Sequence, residues 1–258
     1  MKILALIPAR MGSSRFPGKP MALISGKPMV GHVYERVARS PLLMMTAVAT
    51  CDTEIFNYIE SIGGKAVMTA DTYERASDRC AEALLKLEQE YGVHYDIVVM
   101  VQGDEPMTHP DMIAEAVQPM LDDASIQIVN LLGKISDITE FEDRNCIKVV
   151  CDLNLNALYF SREPIPTRSK ASNVPMGKQV CIIPFRRDYL FKYTGLTATP
   201  LEIAESVDMM RVLEHGERIR MVPTKHNSYS VDTPADLVRV EKLMYAFSET
   251  DSEKYRNT

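Results

Sequence analysis

The chain has no tryptophan and only five histidines in 258 residues. His32, His94, His109, His215 and His226 fall at no metal-ligand spacing, and none stands in a recognisable Ser-His-Asp arrangement. That removes the usual zinc-site and serine-hydrolase readings. The five cysteines, Cys51, Cys80, Cys146, Cys151 and Cys181, are odd in number, scattered and without a C-x-x-C pair. Buried free thiols in a reducing cytoplasm are the expectation, rather than a disulfide framework. No apolar run approaches the ~20 residues that cross a bilayer, and the N-terminus enters a strand with no h-region or cleavage site before it. A cytoplasmic protein with no membrane partner is expected. The standard phosphate-binding loops are missing as well. Five residues rather than four separate Gly12 from Gly18, Pro20 stands where a P-loop needs Ser or Thr, and no G-x-G-x-x-G occurs.

Apolar material in a regular order is what the chain does have. Hydrophobic residues make up 46%, enough for a sizeable core, and 258 residues suit one α/β domain with a smaller lobe. Sixteen methionines form no cofactor box and are expected to pack that core. The 29 basic and 35 acidic side chains leave a formal charge of −6, which argues against nucleic acid as a partner. Apolar runs at 3–7, 46–50, 66–68, 97–101 and 126–131 read as buried strands. Amphipathic segments at 29–40, 53–62, 77–91 and 110–121 read as the helices between them. This alternation predicts βαβ units and a mostly parallel sheet. Right-handed crossovers put the loops after the strands on one edge, so residues 10–19 and 102–106 are expected to share it.

The second half is less regular. Residues 147–151 and 157–160 flank a turn and read as a hairpin, 162–178 as a polar loop, 179–184 as a strand and 201–213 as a helix. A C-terminal helix over 234–247 is announced by Asp232-Thr233-Pro234, and the polar tail 248–258 is expected to fray.

The most informative segment follows the first strand: Ala9-Arg10-Met11-Gly12-Ser13-Ser14-Arg15-Phe16-Pro17-Gly18-Lys19-Pro20. Arg10, Arg15 and Lys19 can neutralise several phosphate charges, and glycines let backbone approach a ligand. Composition alone fits a triphosphate cradle and a plain solvated loop equally. Further motifs follow in order: Val101-Gln102-Gly103-Asp104-Glu105-Pro106, Ala157-Leu158-Tyr159-Phe160-Ser161-Arg162, Pro200-Leu201-Glu202, Arg211-Val212-Leu213 and Val231-Asp232-Thr233-Pro234. With Ile7-Pro8-Ala9-Arg10 and Gly18-Lys19-Pro20, this set resembles the CMP-sugar synthetases, and among them the 3-deoxy-manno-octulosonate (Kdo) cytidylyltransferases. The resemblance runs over residues 2–243.

The resemblance implies a three-layer α/β fold of the nucleotide-diphospho-sugar transferase type. It places a Rossmann-like nucleotide-binding core at 1–133 and 215–247, and a smaller mixed lobe for acceptor and dimer contacts at 134–214. It implies a homodimer that moves CMP from CTP to an acidic sugar destined for a surface glycan such as lipopolysaccharide or capsule, with Mg²⁺ as cofactor and pyrophosphate as leaving group. Such a transfer needs no enzyme nucleophile, only positioning and charge neutralisation. Within that scheme Arg10, Lys19, Asp104 and Asp232 are catalytic, and the two aspartates supply the hard oxygens Mg²⁺ prefers. Pro8, Ala9, Arg10, Gly12, Ser13, Arg15, Lys19, Arg79 and Gln102 bind the nucleotide. Arg75, Gln102, Arg162, Gln179, Ile183, Asp208 and Met209 surround the acceptor. Structural alternatives stand beside three of these roles: Asp232 as a helix cap, Arg79 as a helix-surface cation, and Glu105 as a turn residue rather than a further ligand.

The chain departs from the family where the sugar binds. Arg75-Ala76-Ser77 precedes Asp78-Arg79 in place of the usual Ser-Gly-Thr before Glu-Arg. Gln179, Cys181 and Ile183 stand at the positions of a His, a Gly and a Tyr, and Asp208-Met209 at those of a Glu-Gln pair. Ile183 and Met209 cannot hydrogen-bond a hydroxyl. An intact nucleotide half with an altered acceptor half is therefore expected. Kdo is the leading acceptor, with an amino-ulosonate, a nonulosonate or a phosphonate as alternatives. A non-catalytic nucleotide-binding protein is the reading from another class.

Overall fold

The computed structural model describes the backbone of every residue except Ser14, Ser172, Asn173, Asn257 and Thr258, and side chains as far as Ala246. The chain opens with β1 (Ile3–Ala9), a 3₁₀ turn at Lys19–Met21, the small hairpin β2 (Leu23–Ile24) and β3 (Lys27–Pro28), then α1 (Met29–Val37). Alternation follows: β4 (Met45–Thr50), α2 (Thr53–Ser61), β5 (Lys65–Met68), α3 (Ala76–Tyr91), β6 (Ile97–Val101) and α4 (Pro110–Asp122). Next come β7 (Val129–Lys134), α5 (Ile138–Glu142), β8 (Lys148–Cys151), β9 (Ala157–Ser161), β10 (Gly177–Val180) and β11 (Ile182–Arg186). The chain closes with α6 (Arg187–Thr194), α7 (Pro200–Glu205), α8 (Met209–Glu214), β12 (Arg220–Pro223) and α9 (Pro234–Arg256).

The first sheet has the order β11-β6-β1-β4-β5 and is parallel except for β11, which runs antiparallel to β6. Both faces are covered. Leu4 and Leu6 of β1 join Cys80, Leu84 and Leu87 of α3 on one side. Ile3, Ala5 and Ile7 join Val33 of α1, Ile55 of α2 and Ile113 of α4 on the other. Two apolar faces explain why these strands read as unbroken hydrophobic runs rather than alternating ones. The second sheet, β12-β7-β10-β8-β9, is mixed, with β12 parallel to β7 and the other pairings antiparallel.

The structure divides three segments that read as single elements, or shifts them. Residues 179–184 form parts of two strands in different sheets, with Cys181 at the crossing between β10 and β11. The run 126–131 is likewise split: Ile128 bridges Phe185 of β11, whereas Val129 onward is β7 of the second sheet. An apolar run names no partner strand, so sheet switching leaves no mark in the sequence. As a result β7 and β12 belong to the second sheet and β11 to the first, and the sheets cross the 134/214 division expected between core and lobe. The helix read over 201–213 is broken at Ser206, whose φ of 51° ends α7 in a left-handed turn. Toward the C-terminus α9 continues to Arg256, past the expected fraying point, through a stretch without Pro or Gly to stop it. Of the cysteines, Cys80 is buried and the other four are half-buried, and all five are free thiols.

The break between α7 and α8 is held by a buried ion pair. Arg211 is 1% exposed. Its Nε donates to Glu202 Oε2 at 2.7 Å, its Nη2 to Glu202 Oε1, and its Nη1 to the Leu196 carbonyl at 3.0 Å. Glu202 also accepts the Thr199 N–H at 3.2 Å, while its own N–H donates to Glu214 Oε2 at 3.2 Å, so the start of α7 is held by two carboxylates. The Pro200-Leu201-Glu202 and Arg211-Val212-Leu213 motifs are thus two halves of one clamp. Arg211→Leu is expected to lower the unfolding free energy by about 3–5 kcal/mol in denaturant titration, because it strands a buried carboxylate. Adding Glu202→Leu recovers part of that loss by removing the stranded charge.

Candidate active site

Strand order locates the site. From β1 the chain moves through β4 to β5 on one side, then returns to β6 on the other, so the connections reverse direction between β1 and β6. A crevice opens beyond the carboxyl ends of strands at such a switch point. Arg10, Gly12, Ser13 and Arg15 after β1 and Gln102, Gly103, Asp104 and Glu105 after β6 border it here. The crevice comprises two connected clefts of about 290 Å³ and 970 Å³. Pro8, Ala9, Arg10, Gly12, Ser13, Arg15, Lys19, Arg79 and Gln102 all line the narrow cleft. Arg75, Gln102, Arg162, Gln179, Ile183, Asp208 and Met209 all line the wide one. Arg10, Arg15, Arg75, Gln102 and Asp104 belong to both walls.

The first loop is shaped by a short set of backbone bonds. The Met11 carbonyl accepts from Ser13 N–H at 2.9 Å and Gly18 N–H at 3.0 Å, and Met11 N–H donates to Asp52 Oδ2 at 2.8 Å. Gly18 has φ 73°, so it is glycine because the turn into Lys19 is left-handed. Among the described residues Gly12 has no atom within 4 Å of where a Cβ would be, and it stands on the cleft wall. Only one of the two loop glycines is therefore explained by turn geometry. Arg10 reaches the Tyr73 carbonyl at 3.5 Å. Arg15 bonds Asn145 Oδ1 at 2.6 Å and Asp232 Oδ1 at 2.9 Å.

At the centre, Lys19 Nζ lies 3.0 Å from Asp104 Oδ2 and 3.5 Å from Asp232 Oδ1. Burial alone would lower the Lys19 pKa, but the charges and hydrogen bonds of the two carboxylates outweigh it and hold the ammonium above its ordinary value. Asp232 is pushed up, first by burial and then by the negative charge of Asp104, with Lys19 and Arg15 pulling the other way. The Val231 N–H donates to the Asp104 carbonyl at 2.9 Å, so the two aspartate-bearing segments are joined through backbone as well. Asp232 is not the helix cap. Thr233 Oγ1 accepts the Asp236 N–H at 3.2 Å and Asp236 accepts the Thr233 N–H at 3.0 Å, a reciprocal cap that leaves the Asp232 carboxylate facing the cations.

Glu105 is an internal strut. Its Oε1 accepts the Cys181 N–H at 3.1 Å and its Oε2 accepts Ser228 Oγ at 2.6 Å, while burial raises its pKa. It ties the sheet-crossing residue to the connection that ends at Asp232. Arg79, 2% exposed, is likewise inside rather than on a helix surface. It donates to Thr69 Oγ1 at 2.7 Å and the Tyr73 carbonyl at 3.1 Å, fixing the loop before α3.

The wide cleft has a mixed lining. Ile183 and Met209 are 2% and 1% exposed and form its wall from the hydrophobic core. Gln179 Nε2 donates to Asn130 Oδ1 at 2.7 Å. The Arg162 guanidinium donates to the carbonyls of Glu205, Arg144 and Ser206 at 2.6, 3.0 and 3.1 Å, so it anchors the α7–α8 break. Arg75 Nε pairs with Asp78 at 3.1 Å, while its Nη1 is buried with no hydrogen-bond partner among the described residues. Asp208 is raised by burial, opposed by the Arg75 charge. Sequence reasoning missed Asp52, Asn130, Asn145 and Ser228. Asp52 carries the signature of a helix cap before α2, yet its carboxylate holds the Met11 backbone and makes no capping bond. The other three show no local signal, since their partners lie 49–130 residues away.

The cytidylyltransferase family model matches residues 4–219. A 3-deoxy-manno-octulosonate cytidylyltransferase of Geobacter metallireducens is 44% identical over 255 residues, covering 94% of this chain and 98% of the relative. Its counterpart in Syntrophus aciditrophicus is 44% identical over 244 residues, covering 94% and 97%. A solved CMP:2-keto-3-deoxy-manno-octonic acid synthetase complexed with CTP superposes with a TM-score of 0.87 at 38% identity, over 95% of this chain and 99% of that one. The 4-diphosphocytidyl-2C-methyl-D-erythritol synthase of Anaerococcus prevotii, 11% identical with a TM-score of 0.61, shares the fold. With its cation-lined crevice at the β1/β6 switch point and these full-length relatives, the chain belongs to the cytidylyltransferase family.

Proposed function

We propose that this cytidylyltransferase joins CMP from CTP to an acidic sugar, 3-deoxy-manno-octulosonate or a related acid, with Mg²⁺ as cofactor and release of pyrophosphate. The acceptor hydroxyl forms a bond to the α-phosphorus as the bond to the pyrophosphate oxygen breaks. One observation carries the reading: two clefts meet at a wall shared by Arg10, Arg15, Arg75, Gln102 and Asp104. Two substrates lying in them would react across that wall.

Hard-cation chemistry suits the centre, because two carboxylates from distant segments converge on one ammonium. Asp104 and Asp232 would hold Mg²⁺, which when bound neutralises phosphate oxygens as a Lewis acid. The chain's own contribution is charge and order. Lys19, Arg10 and Arg15 face the narrow cleft as three cations and offset the charge that builds on departing pyrophosphate. Gln102, on the shared wall, offers both a donor and an acceptor to the incoming hydroxyl. At the acceptor end Arg75 Nη1 is a buried donor awaiting an anionic oxygen.

Kdo leads as acceptor through the names of the relatives. The apolar wall of Ile183 and Met209 and the Arg75 guanidinium support extending the test to an amino-ulosonate, a nonulosonate and a phosphonate. Exposed Leu153, Leu158 and Ile203 outside the first sheet support the homodimer. Five free cysteines support a reducing, cytoplasmic location.

Pyrophosphate release should be seen with CTP, Mg²⁺ and one acid of this panel, and not with the other nucleoside triphosphates; silence with every acid overturns the transferase reading. Asp104→Asn is expected to cut turnover by at least ~10²-fold while CTP still binds in equilibrium dialysis. Full activity in that variant removes Asp104 from the reaction.

The pH dependence has a defined sign. Asp232 must be ionised to hold a cation, and without a cation its pKa is raised, so at subsaturating Mg²⁺ kcat/KM falls with decreasing pH from above the ordinary aspartate range. Lys19→Gln removes a contribution that lowers the Asp232 pKa. The acid limb should move to higher pH in that variant, alongside a loss of turnover; a limb that stays put or moves down contradicts the coupling.

A further inference from the structure

His109 and His226 stand 117 positions apart, so no sequence spacing joins them, but the fold stacks their rings at 4.0 Å with planes 8° apart. His109 comes from the N-cap of α4 and His226 from the connection between β12 and α9. Asp111 Oδ2 lies 3.6 Å from His109 Nδ1 and 3.9 Å from His226 Nε2. One ligand atom from each of the three residues falls within 4.8 Å of the other two. Glu115 Oε1 is a further oxygen, 4.0 Å from His226 Nε2.

We infer that His109, Asp111 and His226 form a second metal site, for a borderline divalent cation of the Zn²⁺ type. Nitrogen and oxygen ligands about 2.0–2.2 Å from a tetrahedral ion lie about 3.4 Å from one another, and two of these separations are already within half an ångström of that. Two imidazoles distinguish the site from the all-oxygen pair Asp104 and Asp232, because imidazole suits Zn²⁺ whereas Mg²⁺ takes oxygens. None of the three residues lines either cleft. The site is open to solvent, with 47%, 70% and 27% of the His109, Asp111 and His226 side chains exposed, so an ion has an entry path.

The protein has prepared several parts of the arrangement. His109 Nδ1 accepts the Asp111 N–H at 3.2 Å, so its lone pair already points to the start of α4, and an ion there takes over that lone pair. Glu115 accepts Thr224 Oγ1 at 2.6 Å and the Lys225 N–H at 3.4 Å, which docks the His226 segment on α4 before any ion binds. Ligation needs the two rings to rotate out of their stack, with the exposed His109 ring free to turn away from the half-buried His226 ring. An ion held here would clip the connection 224–233, which carries Ser228 and Asp232, to the helix that follows Glu105. It would steady the Asp232 segment from outside the crevice.

The test is calorimetric titration of the chelator-stripped full chain with Zn²⁺ in excess Mg²⁺, for the wild type, His109→Gln, His226→Gln and the double variant. One tight equivalent is expected in the wild type, at least ~10-fold weaker binding in each single variant and none in the double variant. Zn²⁺ should raise the thermal midpoint of the wild type by several degrees and leave the double variant unmoved. Midpoints without metal that match across the four proteins keep a folding defect from imitating the result. Absence of wild-type binding at millimolar Zn²⁺, or equal binding in the double variant, overturns the proposal.

Discussion

A single ammonium organises the centre of this molecule. Lys19 is the charge partner of Asp104, from the end of β6, and of Asp232, from the approach to α9. Without a cation, two half-buried carboxylates facing one point would repel each other and one would take up a proton, which is the direction in which Asp232 is already displaced. The left-handed turn at Gly18 delivers that ammonium, and the Val231–Asp104 backbone bond keeps the carboxylates in register. Charge at this point is a tertiary property. It joins segments 85 and 213 residues from Lys19 in sequence.

The two sheets serve this centre indirectly. The chain crosses between them at 128/129 and again at Cys181, so neither sheet is built from one contiguous piece. Glu105 sits at the second crossing and spans it with both carboxylate oxygens, one on the Cys181 N–H and one on Ser228. An acid beside a catalytic candidate reads naturally as another ligand. Here its burial and its two partners make it the beam that fixes the Asp104 loop relative to the Asp232 loop. Arg79, Arg162 and Arg211 follow the same logic. Each spends its guanidinium on protein carbonyls, a hydroxyl or a carboxylate and holds a loop in place.

Arg79 and Arg162 line the crevice as well as hold its loops. Arg10, Arg15 and Lys19 lie along the narrow cleft, bonded to the Tyr73 carbonyl, Asp232 and Asp104 respectively. Arg75 lies between the two clefts with one buried nitrogen unpartnered, an arrangement that costs stability unless a ligand completes it.

By itself the sequence determined the alternating core, the strands β1, β4, β5 and β6 with the helices α1 to α4, and the family through its ordered motifs. It did so because hydrophobic period and turn chemistry are local properties. It also brought the candidate residues of the loops after β1 and β6 to one crevice, since loops after parallel strands must share an edge. Tertiary structure alone decided the rest. It split residues 179–184 between two sheets and broke the 201–213 helix at Ser206 around the Arg211–Glu202 pair. It gave Glu105, Arg79 and Arg162 protein partners that hold loops in place, and it brought His109 to His226. The physical reason is common to all of these. A side chain's chemistry is written in its residue type, but whether that chemistry faces a ligand or a neighbouring backbone depends on distant partners, which no local pattern encodes.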